Sequence, residues 1–205
     1  MLEKVTAFVL RTLPTGPELL LLKHPFAGNQ LPAGTVTLGE SPQHAVVREV
    51  AEETGLKDLP ITAELGYRDT ILPPDKAVLT HPTKVFSRPD PSSFDWIDVS
   101  PGLWLEVHRR QNGYAQITYK EPDQLPNPSY NTYQFTGWVP EEVLSQQQRR
   151  YFFLFSFPGR TPPTWKVNSD YHTFTLFWAP LDALPKLIPP QDKWMKVLQE
   201  YLKSR

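Results

Sequence analysis

No cysteine occurs anywhere in the chain. That excludes a disulfide framework, a thiol nucleophile and zinc–thiolate sites, and it suits the cytoplasm. An excess of one charge is missing as well: 21 basic residues face 22 acidic ones, a net charge of −1. Neither a nucleic-acid backbone nor an anionic membrane is therefore called for as a partner, and no basic run of five or more residues appears. Long apolar runs are also absent, and none approaches the roughly 20 residues of a membrane span. The opening MLEKVTAFVLRTL lacks an uninterrupted apolar core followed by a small-residue cleavage site, so no secretory signal is expected. These absences predict a soluble, cytoplasmic protein with no membrane partner, and they disfavour nucleic acid.

What is plentiful is proline, with 23 residues, and aromatic side chains, at 12%. Disordered segments are poor in aromatics, so the combination predicts long ordered loops. A chain of 205 residues is expected to be one domain with a sizeable core, or one domain carrying a large insertion.

The densest chemistry lies in GTVTLGESPQHAVVREVAEETGL, residues 34 to 56. Ser41 is a good N-cap, because its hydroxyl can accept from an orphan amide of the first helical turn. Pro42 follows at the first helical position, where a missing N–H costs nothing, and Gly55 suits a left-handed stop. The helix is predicted from about Pro42 to about Thr54. At about 100° per residue, Val46, Val47, Val50, Ala51 and Thr54 fall on one side. Glu49, Glu52 and Glu53 fall on the opposite side as helix neighbours. Three like charges in one patch repel, by roughly 0.2–0.5 kcal/mol per pair in a bare helix, and Arg48 beside them neutralises only part. Clustered carboxylates facing a loop that carries Glu40 suit a hard divalent cation, Mg²⁺ before Zn²⁺, since neither sulfur nor well-spaced histidine is offered.

Around this stretch, residues 4–12 and Leu19–Lys23 read as a strand hairpin across the Pro14–Pro17 turn, and residues 61–72 as a returning strand. From about 73 to 148 prolines cluster between scattered tryptophans and tyrosines. Strand candidates at 103–108 and 114–119 flank the turn signal Gln111-Asn112-Gly113, and Glu141–Gln148 reads as a short helix. A structureless loop of that length is implausible in a compact domain, so an irregular Pro/aromatic-rich insertion with its own small β structure is expected. Residues 150–157, RYFFLFSF, form the strongest strand candidate, with a loop at 158–170 and another strand at 171–179. A final helix from Gln191 to about Lys203 places Trp194, Val197, Leu198, Tyr201 and Leu202 on one face. The order predicts an α/β (α+β) fold in which a mixed β-sheet is sandwiched between helices.

Residues 34–56 resemble the Nudix box, G-x5-E-x7-R-E-U-x-E-E-x-G-U with U apolar. Gly34, Glu40, Arg48, Glu49, Val50, Glu52, Glu53, Gly55 and Leu56 fill every position. At average residue usage such a match arises by chance roughly once in 10⁷ chains. The resemblance implies a single MutT-like Nudix hydrolase domain over 1–205, interrupted by the insertion. It also implies hydrolysis of a phosphoanhydride in a nucleoside diphosphate linked to another moiety, such as another nucleotide, a nucleotide sugar or ADP-ribose. Water is the nucleophile, and Mg²⁺, or Mn²⁺ in its place, is the cofactor.

Carried over by position, Glu49, Glu52 and Glu53 are the implied metal ligands, with Glu49 either a ligand or the base. Arg48, Glu49 and Glu53 are the catalytic residues; Arg48 pairs with a glutamate and fixes its rotamer. Gly34, Glu40 and Gly55 support the cluster, and a backbone carbonyl near Ala33 or Gly34 is a further candidate ligand. A base from outside the box has three candidates: Asp170, Glu141 and Glu142. His24 precedes the box closely enough to meet a phosphate; His44, His81, His108 and His172 show no metal-ligand spacing. Trp96, Trp104, Tyr130, Tyr133 and Trp138 either stack a base or fill the core of the insertion. That insertion is expected to cover the substrate pocket or to build a homodimer contact. The rival from a different class is a non-catalytic Nudix-fold nucleotide sensor, disfavoured because a binding module has no need of a repulsive metal cluster. An enzyme acting on RNA 5′ ends is disfavoured by the near-neutral charge.

Overall fold

The computed structural model describes residues 1–125, 127–169 and 172–204. In chain order the elements are β1 (Leu2–Leu13), β2 (Gly16–His24), β3 (Gly28–Gln30), β4 (Ala33–Thr35), α1 (Pro42–Thr54) and β5 (Ile61–Ile71). There follow β6 (Lys76–Leu79), β7 (Thr83–Phe86), β8 (Asp95–Val99), β9 (Trp104–Gln111), β10 (Tyr114–Pro122), β11 (Asn131–Pro140) and β12 (Leu144–Ser145). The chain ends with β13 (Gln147–Ser156), β14 (Thr164–Ser169), β15 (His172–Pro180) and α2 (Gln191–Lys203). Two compact units result: one holds residues 4–67, 124–127 and 150–205, the other residues 1–3, 68–123 and 128–149.

The first unit is built on a sheet in the order β14-β15-β2-β1-β13-β5, with β3 beside β2 and β4 beside β1. Its central strands are apolar at successive positions because both faces are covered. On one face Val5, Ala7 and Val9 of β1, Leu20 and Leu22 of β2, and Phe153 and Phe155 of β13 pack with Ala45, Val46 and Val50 of α1. On the other face Phe8, Leu19, Leu21, Phe152 and Leu154 pack with Met195, Val197 and Leu198 of α2. Period-two alternation along each strand deals successive residues to the two helices. Each fully buried Leu or Phe contributes about 1.5–3 kcal/mol by leaving water. The expected arrangement of a sheet between two helices is therefore present. In α2 the inward face includes Met195 in place of Leu202, which is exposed.

The second unit carries a seven-stranded sheet in the order β12-β6-β9-β10-β11-β7-β8. Its own core contains Leu79, Val85, Leu105, Ile117 and Val139. The sequence indicated only β9 and β10 of these strands. The helix expected over Glu141–Gln148 does not form. Glu141–Val143 make a single 3₁₀ turn, Leu144–Ser145 pair with Val78–Leu79 as β12, and β13 begins at Gln147. The apolar residues Val143 and Leu144 serve the sheet core here, which overrides a local helical preference. Of the aromatics named as core or stacking candidates, Trp138 alone is buried; Trp96, Trp104, Tyr130 and Tyr133 are exposed. Trp138 carries the Arg109 guanidinium 5.0 Å from its ring centroid. One further expectation needs correction: residues 164–169, read as loop, are β14 paired along its length with β15. β3 and β4, of three residues each, are too short to show a period. Pro126, Asp170 and Tyr171 lie outside the described residues.

Candidate functional site

The geometry of the acidic helix begins at its caps. Ser41 has extended dihedrals and its hydroxyl accepts from the amide of His44 at 3.2 Å. Gly55 closes the helix at φ 73° and donates its N–H to the Ala51 carbonyl at 3.0 Å. Beyond the cap, the Trp165 indole N–H of β14 donates to the Thr54 carbonyl at 2.8 Å, which satisfies an end group of the helix. The caps and bounds read from the sequence are those observed.

The orientation of the helix differs from the expected one. Its buried residues are Ala45, Val46, Glu49, Val50, Glu53 and Thr54, whereas Val47 reaches solvent. The inward stripe is thus rotated toward Glu49 and Glu53, which are 9% and 7% exposed. Glu52, expected beside them, is about half exposed. Sequence apolarity alone misplaces the stripe, because two of the residues turned inward are charged.

Each buried carboxylate has a defined seat. Glu53 Oε2 accepts from the backbone N–H of Ala33 at 2.8 Å. Glu49 lies directly on the backbone of Gly34: a Cβ there would stand 1.9 Å from both Cδ and Oε1 of Glu49. Gly34 sits in β4, in antiparallel register with Val5 of β1, so the sheet fixes the backbone against which Glu49 rests. Gly34 is needed for close approach, since its φ lies outside the left-handed region.

Arg48 organises the remainder. Its Nε and Nη2 donate to Glu40 Oε1 and Oε2, both at 3.0 Å, as a bidentate pair. Nη1 donates to Glu49 Oε1 at 2.8 Å and to Glu52 Oε2 at 3.1 Å, and Nη2 also donates to the Thr35 carbonyl at 3.1 Å. Glu40 Oε2 in turn accepts from the Thr37 amide at 3.0 Å and hydroxyl at 2.9 Å. The hydrogen bonds from Arg48, foremost, hold the Glu40 carboxyl down at about 2, and the same pairing raises Arg48 further above its ordinary value. Arg48 is thereby permanently charged and fixed. Thr35, Thr37 and the Ala33 amide carry no sequence signal of their own, so their part in the site emerges only in three dimensions.

The donor set fits a hard divalent cation in kind. Glu49, Glu52 and Glu53 supply oxygen only, on two turns of one helix beside a loop backbone exposed at a glycine. Among the described residues no three His, Cys, Asp or Glu side chains are grouped as metal ligands; Glu49 and Glu52 are instead joined through Arg48.

The other candidates fall elsewhere. Glu141, in the second unit, pairs with Arg110 at 3.5 Å, and Glu142 is exposed. His24 Nδ1 accepts from the amides of Phe26 and Ala27 at 3.0 and 3.1 Å, so the ring shapes the turn after β2. Burial, and the His172 ring 4.5 Å away, lower its pKa. His108 and His81 bond Thr118 and Thr80. No helix among the described residues is long and apolar enough to cross a membrane.

Comparison with known proteins adds the following. Residues 2–95 match the family model of the NUDIX domain. No curated protein matches the chain in sequence. Among solved structures, the NUDIX domain of Shewanella oneidensis NrtR, complexed with ADP ribose, is similar at 14% identity and a TM-score of 0.50, covering 98% of this chain and 88% of that one. A C. elegans Ap4A hydrolase in a binary complex is similar at 11% identity and a TM-score of 0.47, over the full length of both chains. The former likeness speaks for the fold.

Proposed function

From a chain whose residues 2–95 carry a NUDIX domain, we propose a Nudix hydrolase that cleaves a phosphoanhydride bond in a nucleoside diphosphate linked to another moiety. Water is the nucleophile and Mg²⁺ the metal. The observation that carries this reading is the burial of Glu49 and Glu53 side by side against the Gly34 backbone and the Ala33 amide. Two neighbouring carboxylates, one oriented by Arg48 and the other by the Ala33 amide, gather oxygen donors and negative charge at one place, which suits a hard divalent cation.

Phosphoanhydrides are kinetically inert because their negative oxygens repel a nucleophile. Glu52 and Glu53 would hold the Mg²⁺, with Glu49 either a further ligand or the base, and the bound ion would neutralise that charge and make a coordinated water more acidic. The chain's own residues supply the positioning. Arg48 fixes the rotamer of Glu49, Glu40 and Thr37 anchor Arg48, and the Ala33 amide fixes Glu53. Water attacks one phosphorus, the bridging oxygen departs with the other phosphate, and the proton of the water passes to a carboxylate within hydrogen-bond reach. Glu49, turned by Arg48, is the candidate for that role. The substrate is a small nucleotide derivative, consistent with a net charge of −1.

The test is Glu53→Gln. It keeps the size of the side chain and its bond from Ala33 but removes the charge, and is expected to leave the fold intact while removing most turnover. A folded variant with near-normal hydrolysis would contradict the assignment.

A further inference from the structure

The face of the first sheet that α1 covers ends, beyond the helix, in four packed rings. His24 closes β2 and His172 opens β15, and alternation puts both on the side of Leu22 and Phe174. Phe26, in the turn after β2, joins them. The His24 ring lies 4.5 Å from that of His172, 5.4 Å from Phe174 and 6.1 Å from Phe26. Phe26 in turn lies 6.2 Å from His172. Each of these four pairs meets edge to face, at interplanar angles between 60° and 76°. Phe174 is buried and Phe26 is 61% exposed, with the two imidazoles half-buried between them.

A single exposed Phe on a turn is ordinary. This one is held. Edge-to-face neighbours fix a ring through its rim and leave its outer face open. His24 Nδ1 also accepts from the amides of Phe26 and Ala27, so the imidazole anchors the turn that carries the ring. Position gives the cluster its meaning. Gly34, on which Glu49 rests, is in register with Val5, a residue of that same covered face. β1 and β2 pair with each other only from Leu10 and Leu19 to Leu13 and Gly16. Below that, β3 lies beside β2, with Gly28 in register with His24, and β4 lies beside β1. At about 4.8 Å per strand, His24 and Gly34 stand roughly 10 Å apart on one face. The sugar and phosphates of a nucleoside diphosphate bridge such a span.

We propose that Phe26, held by His24 and His172, is the seat of the substrate's nucleobase, which stacks on the open face of the ring while the phosphates reach the glutamates of α1. This rests on the hydrolase reading for the nature of the substrate, but the seat itself is defined by the rings. A π-face accepts any base. The site therefore selects nucleotides over diphosphates that carry no base, and it does so without choosing among bases.

The experiment is calorimetric titration of the full chain, with Mg²⁺, by the α,β-methylene analogues of ADP, GDP, CDP and UDP. Their bridging carbon cannot be hydrolysed. Methylenediphosphonate, the same group without sugar or base, is titrated alongside. Wild type is expected to bind the nucleotide analogues more tightly than methylenediphosphonate. Phe26→Ala is expected to bind the nucleotides about tenfold more weakly and methylenediphosphonate as wild type does. Phe26→Trp, which keeps a π-face, is expected to retain the nucleotide affinity. Phe26→Ala should also melt close to wild type, because the ring it removes stands mostly in water. Unchanged nucleotide affinity in Phe26→Ala, an equal loss for methylenediphosphonate, or no preference for nucleotides in wild type overturns the proposal. Hydrolysis of a nucleotide by wild type together with an unaltered Phe26→Ala would sink the base seat alone. The expected binding pattern without turnover of any substrate would sink the hydrolase reading alone. With an identified substrate, Phe26→Ala is expected to raise KM and leave kcat nearly unchanged.

Discussion

Gly34→Ala isolates the contact on which the site turns. The added methyl would begin 1.9 Å from Glu49 Cδ, 1.9 Å from Oε1 and 2.4 Å from Oε2. To restore an ordinary van der Waals separation, the carboxylate must retreat by about 1.5 Å. Glu49 is 9% exposed, so the movement runs outward along its own rotamers, and the 2.8 Å bond from Arg48 is lost or remade elsewhere. The obstructing atoms end a flexible side chain, so the fold yields cheaply: about 1 kcal/mol, at the low end of overpacking costs, or a fall in Tm of about 2–4 °C. Catalysis is less forgiving, since a displacement of 1 Å can cost about 100-fold, equivalent to about 2.7 kcal/mol in the barrier. The assay is kcat/KM beside a thermal melt, for Gly34→Ala alone and in a Glu49→Ala background. The variant is expected to stay folded and lose about two orders of magnitude in kcat/KM. In the double variant the second substitution should cost almost nothing, because the group it displaces is gone. Activity within threefold of wild type, or fully additive losses, would refute the reasoning.

Three further expectations follow from the same geometry. Glu40, held at about 2 by Arg48 against an ordinary 4.5, contributes stability that is complete above about pH 4.5 and is lost as pH falls toward 2. After solvent screening this amounts to about 1 kcal/mol; the gap in Tm between wild type and Glu40→Gln should close over that window, and a gap constant with pH would contradict the pairing. In the second unit, Gly137→Ala would place a Cβ 2.4 Å from Val85 Cγ1, 2.9 Å from Trp96 Cη2 and 3.0 Å from the Phe86 carbonyl. That clash includes backbone, so about 1–3 kcal/mol of destabilisation is expected, read from denaturant midpoints. Glu53→Gln, by contrast, should melt close to wild type and still fail to turn over.

Much of the first unit was legible in the sequence because its signals are local. Ser41, Pro42 and Gly55 specify the ends of α1 by capping chemistry, and RYFFLFSF specifies a strand buried on both faces. The acidic box was legible as a pattern, but the seat of its side chains was not. Hydrophobicity placed Val47 inward and Glu53 outward; Val46, Val50 and Thr54 are buried as expected, but the stripe is rotated so that Glu49 and Glu53 meet Gly34 and Ala33. β3 and β4 have three residues each, too few to display a period, although β4 supplies the floor of the site. In the second unit β6, β7 and β12 are two to four residues long and are defined by their partners, so no local signal announces them.

The most direct test of the central claim is a phosphate-release screen with Mg²⁺ over nucleoside triphosphates, ADP-ribose, dinucleoside polyphosphates, nucleotide sugars and coenzyme A, with Glu53→Gln run alongside. Turnover of one preferred nucleoside-diphosphate derivative, lost in the variant, is the predicted result. No turnover of any of them by wild type, while Mg²⁺ or nucleotide still raises its melting temperature, would contradict the claim and identify a nucleotide sensor.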